Sequence, residues 1–139
     1  MKIKIVLLFL KFLASCSVNS NLMKGHSDID LIEEHLAAIT KTDGFRNYQD
    51  IQTLNYVAGY IYSNLMKYCD TVFYQSYMVN NVEYKNVIGS IGIKNQTRII
   101  VGAHYDVCGN QEGADDNASG VVGLLELARL LKNQKTNYR

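Results

Sequence analysis

Between an apolar run ending at Ala103 and an apolar helical pattern beginning near Ser119, the chain holds one histidine and three aspartates: His104, Asp106, Asp115 and Asp116. Imidazole and carboxylate together are donors for a divalent ion such as zinc, and the end of a strand in an α/β sheet is where such groups gather. Asp106 follows His104 by two positions, near enough to accept a hydrogen bond from the ring nitrogen that does not bind metal. A carboxylate placed there fixes the tautomer and raises the basicity of the other nitrogen. Asp115 and Asp116 come after the Gly113 turn, at the start of the final helix. Adjacent carboxylates there also have a plain structural explanation, since capping and the macrodipole both favour anions at a helix N-terminus.

The elements that must position these residues are legible in the spacing. Ser27 is the expected N-cap of a helix over 28–39, with Ile29, Ile32, Leu36 and Ile39 on one face. Asp43-Gly44 breaks the pattern within 42–48, and Asp50 caps a second helix through Tyr68, with Leu54, Val57, Ala58, Ile61 and Leu65 at helical spacing. From Thr71 the period changes to two; Asn80-Asn81 is a turn signal, and a second strand over 84–93 completes a hairpin. Arg98 to Ala103, through Ile99-Ile100-Val101, is expected as a strand buried on both faces. The last helix runs from after Asn117 to about Lys132, with Val121, Leu124, Leu125, Ala128 and Leu131 inward and Glu126, Arg129 and Lys132 on the polar side. This order implies an α/β sheet.

With 139 residues and a net charge of +1, the chain has room for one domain and carries no electrostatic footprint for nucleic acid. Residues 1–16 read as an export signal: Met1 to Lys4 is basic and Ile5 to Leu13 is mostly apolar, too short to remain as a spanning helix. Leu13-Ala14-Ser15-Cys16 resembles a bacterial lipobox, which would lipidate Cys16 and anchor the protein to a membrane. A plain cleaved signal with a chance cysteine is the other reading. Either way the expectation is export, as a cell-envelope lipoprotein or a secreted protein, with 17–27 as a tether. Spacing does not decide whether Cys69 and Cys108 pair, although one sits at a helix end and the other in the polar loop.

The runs Val101-Gly102-Ala103-His104-Tyr105-Asp106 and Gly113-Ala114-Asp115-Asp116-Asn117-Ala118-Ser119-Gly120 resemble the first two metal motifs of the secreted co-catalytic zinc aminopeptidases. Glutaminyl cyclases and the protease-like domain of the transferrin receptor share that fold. Tyr84-Lys85-Asn86-Val87-Ile88-Gly89 is similar to the family's strand leading into the site, and the likeness extends from about Asp28 to Lys132. It implies the N-terminal part of a three-layer α/β zinc-exopeptidase fold, a mixed central sheet flanked by helices, with 28–139 as an incomplete domain. It also implies His104 as a terminal ligand of one of two zinc ions, Asp116 as the bridge between them, Asp106 orienting His104, Asp115 in support, and a cis bond after Asp116. The activity implied is release of N-terminal amino acids from peptide substrates by metal-activated water.

The general-base glutamate and the remaining ligands that the resemblance requires have no counterpart in the chain. After the last helix, a connection of about 2 to 6 residues and a strand of about 5 to 6 must pass before another strand end can supply them, and Arg139 comes first. Glu112 precedes the ligand within its loop, and Glu126 lies on the last helix. The chain is therefore expected to be a truncated fragment, inactive alone. Two other functions fit the same motifs: a non-catalytic membrane-anchored binding module, and a glutaminyl cyclase-like zinc enzyme.

Overall fold

Two aspartates start the first two helices of the computed structural model, which describes residues 25–139. Asp28 caps α1 (Ile29–Thr40), its Oδ1 accepting the Leu31 N–H at 3.1 Å. Asp50 caps α2 (Ile51–Leu65), accepting the Thr53 N–H at 3.0 Å and the Thr53 hydroxyl at 2.7 Å. The cap of α1 is thus Asp28, one residue later than the expected Ser27. The Asp28 N–H donates to Glu126 Oε1 at 3.0 Å, which pins this residue as the last one outside the helix. The expected signal, Cys16 with its lipobox-like setting, and residues 17–24 of the expected tether lie outside the described residues.

Strand β1 (Thr71–Val79) pairs antiparallel with β2 (Val82–Ser90), in register from Val79↔Val82 to Thr71↔Ser90. Asn80 and Asn81 join them with φ of 49° and 64°, the left-handed pair that a two-residue hairpin loop requires and that asparagine tolerates. Stacked tyrosines brace the hairpin: Tyr74 on Tyr62 of α2 with centroids 4.7 Å apart, and Tyr77 on Tyr84 at 5.9 Å.

The final helix, α3 (Ser119–Leu131), turns Val121, Val122, Leu125 and Ala128 inward. With Ile39 of α1, Val57 and Ile61 of α2, and Ala118, they form the buried core, and Val87 of β2, Ala103 and Tyr105 pack against its margin. The α/β class agrees with the sequence, and so does the element order apart from the third strand expected over 98–103.

Two expectations are corrected. Glu126 is buried on the inner side of α3: it accepts the Asp28 N–H and two bonds from Arg129, at 2.7 and 2.8 Å. A carboxylate leaves water where such partners replace its hydration, and hydrophobic patterning alone does not show them. The second correction concerns 98–103. Ile99, Ile100 and Val101 are 59, 90 and 58% exposed, and the segment joins no ladder of the two-stranded sheet. Burial on both faces needs neighbours on both sides, and among the described residues this segment lacks them. The Ile99 N–H donates to the Arg139 carbonyl at 2.9 Å, and the Arg139 N–H donates to that of Thr97 at 2.7 Å. Two bonds from one residue to partners two apart are one rung of parallel pairing.

Candidate metal centre

His104 stands at the end of the extended segment with half its side chain in solvent, and both ring nitrogens face carboxylates. Nδ1 lies 3.2 Å from Oδ1 of Asp106 and 3.2 Å from that residue's carbonyl oxygen. Nε2 lies 3.0 Å from Oδ1 of Asp116. A neutral imidazole carries one N–H, so whichever nitrogen bears it, the other points a lone pair at an anionic oxygen. A cation shared between Nε2 and Asp116 removes that conflict, while Nδ1 donates to Asp106. Zinc bonds of about 2.0–2.2 Å in tetrahedral geometry separate two donors by roughly 3.3 Å, so the pair fits as neighbouring ligands of one ion. No three His, Cys, Asp or Glu side chains converge as a metal site among the described residues.

The turn bearing Asp116, Ala114–Ala118, is kinked: Asp116 and Asn117 have non-helical dihedrals, and the peptide bond between them is cis, as the resemblance implies. The kink separates the aspartates from α3, whose N-cap is Ala118 with no side-chain cap bond. Capping therefore does not explain Asp115 and Asp116. Asp115 is exposed, and its carbonyl accepts the Ser119 hydroxyl at 3.2 Å.

The loop between the two ligands is held from behind. Gly113 has φ +57°, and a Cβ there would strike the Val107 side chain, the Asp116 carbonyl oxygen and the Arg46 guanidinium. Only glycine suits that turn. Tyr105 reaches β2, its hydroxyl donating to the Lys85 carbonyl at 2.6 Å, and burial pushes its pKa up to about 12. Arg46, buried in the turn after α1, bonds the carbonyls of Tyr105, Glu112 and Gly113. Asn47 bonds the Gly109 carbonyl at 2.9 Å and the Asn110 side chain at 3.2 Å. Sequence reasoning passed over Arg46 and Asn47, which lie where helical periodicity lapses. The burial of Arg46 depends on a loop 59 to 67 positions away, which no local spacing encodes.

The remaining candidates lie elsewhere. Glu112 pairs with Lys41 at the surface at 2.6 Å. Cys69 and Cys108 are free thiols, and burial pushes that of Cys69 up, with Asp70 adding to the effect. A concavity of about 440 Å³ lies between α1 and α3, lined by Ile32, Leu36, Val122 and Leu127 rather than by the histidine.

A histidine with a carboxylate at each ring nitrogen, on a loop between extended segment and helix, is an arrangement that can hold a divalent ion. Residues 86–139 match the model of Peptidase family M28, and over that stretch the chain is similar to this family. Uncharacterized protein YfbL of Escherichia coli (strain K12) is 38% identical over 117 residues, covering 78% of this chain and 36% of that protein. The chain thus spans about a third of the length of the curated relative it matches. No solved structure matches it.

Proposed function

We propose that this chain supplies the first two metal ligands of a zinc aminopeptidase site, His104 and Asp116, with Asp106 orienting the histidine and Asp115 in support. The observation that carries this reading is the contact of His104 Nε2 with Asp116 at 3.0 Å while Nδ1 faces Asp106. When bound, zinc supplies Lewis acidity toward a peptide carbonyl and an acidified water. Asp116 would bridge two ions, because closely spaced dications need shared negative charge. The substrates are peptides with a free N-terminus.

Hydrolysis also requires a general base within hydrogen-bond reach of the attacking water. Among the described residues Glu112 is paired with Lys41, and Glu126 is held by Arg129 and Asp28. Neither touches His104 or Asp116, and no three candidate ligands converge among the described residues, so on this reading they bind metal weakly and do not turn substrate over by themselves. Export, and anchoring through a lipid on Cys16, belong to the same proposal and rest on the pattern of residues 1–16.

Cobalt(II) titration of the purified chain, followed in the visible spectrum, tests the site. Saturable uptake that zinc displaces and that Asp116→Asn abolishes is the expected result. Uptake unchanged by that substitution would place the metal elsewhere. With aminoacyl-arylamides the chain should give no steady turnover, and sustained zinc-dependent release of arylamine would overturn the assignment of inactivity.

A further inference from the structure

Arg46 is 1% exposed, and no carboxylate lies within ion-pair distance of it among the described residues. A buried cation without an ion-pair partner is retained only where other groups replace its hydration. Here four carbonyl oxygens do so. Nε donates to Tyr105 at 2.8 Å, Nη1 to Ile39 at 3.3 Å and to Glu112, and Nη2 to Gly113 at 2.6 Å.

Three of these acceptors lie at the two ends of one loop. Tyr105 adjoins His104, and Glu112-Gly113 lead into the turn of Asp116. The planar guanidinium thus spans the loop's base with donors in fixed directions, which a lysine ammonium does not reproduce. The main chain returns the contact, the Val107 N–H donating to the Arg46 carbonyl at 2.9 Å, while Asn47 holds the apex through Gly109.

We propose that Arg46 is a positioning residue of the metal centre: by tying the two ends of the 105–113 loop together, its guanidinium brings His104 and Asp116 to one point. This rests on the zinc-site reading above and adds a residue remote in sequence from both ligand motifs. Two other roles make different predictions. A buried positive charge near Asp106 and Asp116 repels an incoming cation, so if charge were its main effect, neutralising it would strengthen metal binding. If Arg46 only filled space, stability would change while the residual metal affinity of folded protein would not.

Arg46→Lys and Arg46→Gln, made in the full chain, separate these roles, with cobalt uptake and amide hydrogen exchange as readouts. Positioning requires affinity to fall about 10- to 100-fold in both variants, as when support for a metal ligand is lost. In metal-free protein, exchange at the Val107 and Ala118 amides should quicken at least about tenfold, with Val57 and Ile61 in α2 unchanged. Tighter cobalt binding by Arg46→Gln, or unchanged Val107 and Ala118 exchange in Arg46→Lys, overturns the inference. If the unaltered chain takes up no cobalt, the zinc-site reading fails, and the exchange data still decide whether Arg46 positions the loop. A further measurement needs no variant: the Arg46 Nε–H resonance should be protected from exchange and shift on adding cobalt. A solvent-averaged, unshifted signal counts against the proposal.

Discussion

His104 Nε2 and Asp116 Oδ1 lie 3.0 Å apart although a whole loop separates them in sequence, and both side chains remain more than half exposed. Atoms so placed add little to folding, because a surface pair in water is worth about 0 to 1 kcal/mol. Their convergence has its meaning in what can sit between them.

Metal affinity and stability should therefore separate at this site. Asp106→Asn keeps the shape but weakens the acceptor on Nδ1, and should lower cobalt or zinc affinity about 10- to 100-fold. Asp116→Asn removes a ligand charge and should lower it further. Thermal unfolding of either metal-free variant should stay within about 0.5 kcal/mol of the unaltered chain, the usual range for surface changes. Calorimetric titration and a melting curve check both halves; a large stability loss in Asp106→Asn would make it a structural residue instead.

Gly113→Ala should behave in the opposite way. The left-handed φ and the collisions of an added Cβ with Val107, the Asp116 carbonyl and Arg46 act together. A loss of about 1–3 kcal/mol is expected from overpacking, with further strain from the dihedral. Urea unfolding reads it, and metal uptake should fall too because the turn bearing Asp116 moves. A variant as stable as the original would mean that the turn relaxes freely.

Stability should fall in two stages as pH drops. Burial lowers the pKa of His35 below its ordinary value of 6.5, outweighing Glu34, which acts to raise it. The unfolded chain then binds the proton more readily than the folded one, and stability declines as pH falls through 6.5 toward the depressed folded value. Glu126 has its pKa lowered mainly by the hydrogen bonds from Arg129, so its contribution is complete above the ordinary 4.5 and is lost as pH falls through the folded value. His35→Gln should flatten the upper stage and Glu126→Gln the lower, in urea midpoints measured across the range. A pH profile unaltered by both substitutions would show that other groups govern acid unfolding.

Much of this was legible in local sequence. Asp50 and the Asn80-Asn81 turn are set by contacts a few residues away, and spacing reveals them; on α3 it reveals Val121, Leu125 and Ala128 but not the buried Val122, while Leu124 and Leu131 are only half-buried. The proximity of His104, Asp106 and Asp116 was legible because their two motifs flank one loop between an extended segment and a helix. Glu126, Arg46 and the 98–103 segment were misread or missed for one reason: their surroundings come from distant parts of the chain. Glu126 is polar by type yet buried, because Arg129 and the end of α1 satisfy it. Ile99 to Val101 are apolar by type yet exposed, because burial depends on neighbouring strands that local composition does not specify.

That exposed run carries the last expectation. Ile99, Ile100 and Val101 present apolar side chains on a segment that Arg139 pairs along one side only, and charges that commonly protect edge strands are absent from these three positions. Association between copies of the chain should follow, growing with concentration and read by sedimentation velocity. Ile100 is 90% exposed, so Ile100→Lys should remove little packing while placing a charge on the edge. The variant should sediment as monomer at concentrations where the original does not, with its melting temperature nearly unchanged. Equal association by both proteins would move the cause to another surface, such as the half-exposed Phe73, Tyr77 and Met78 of β1.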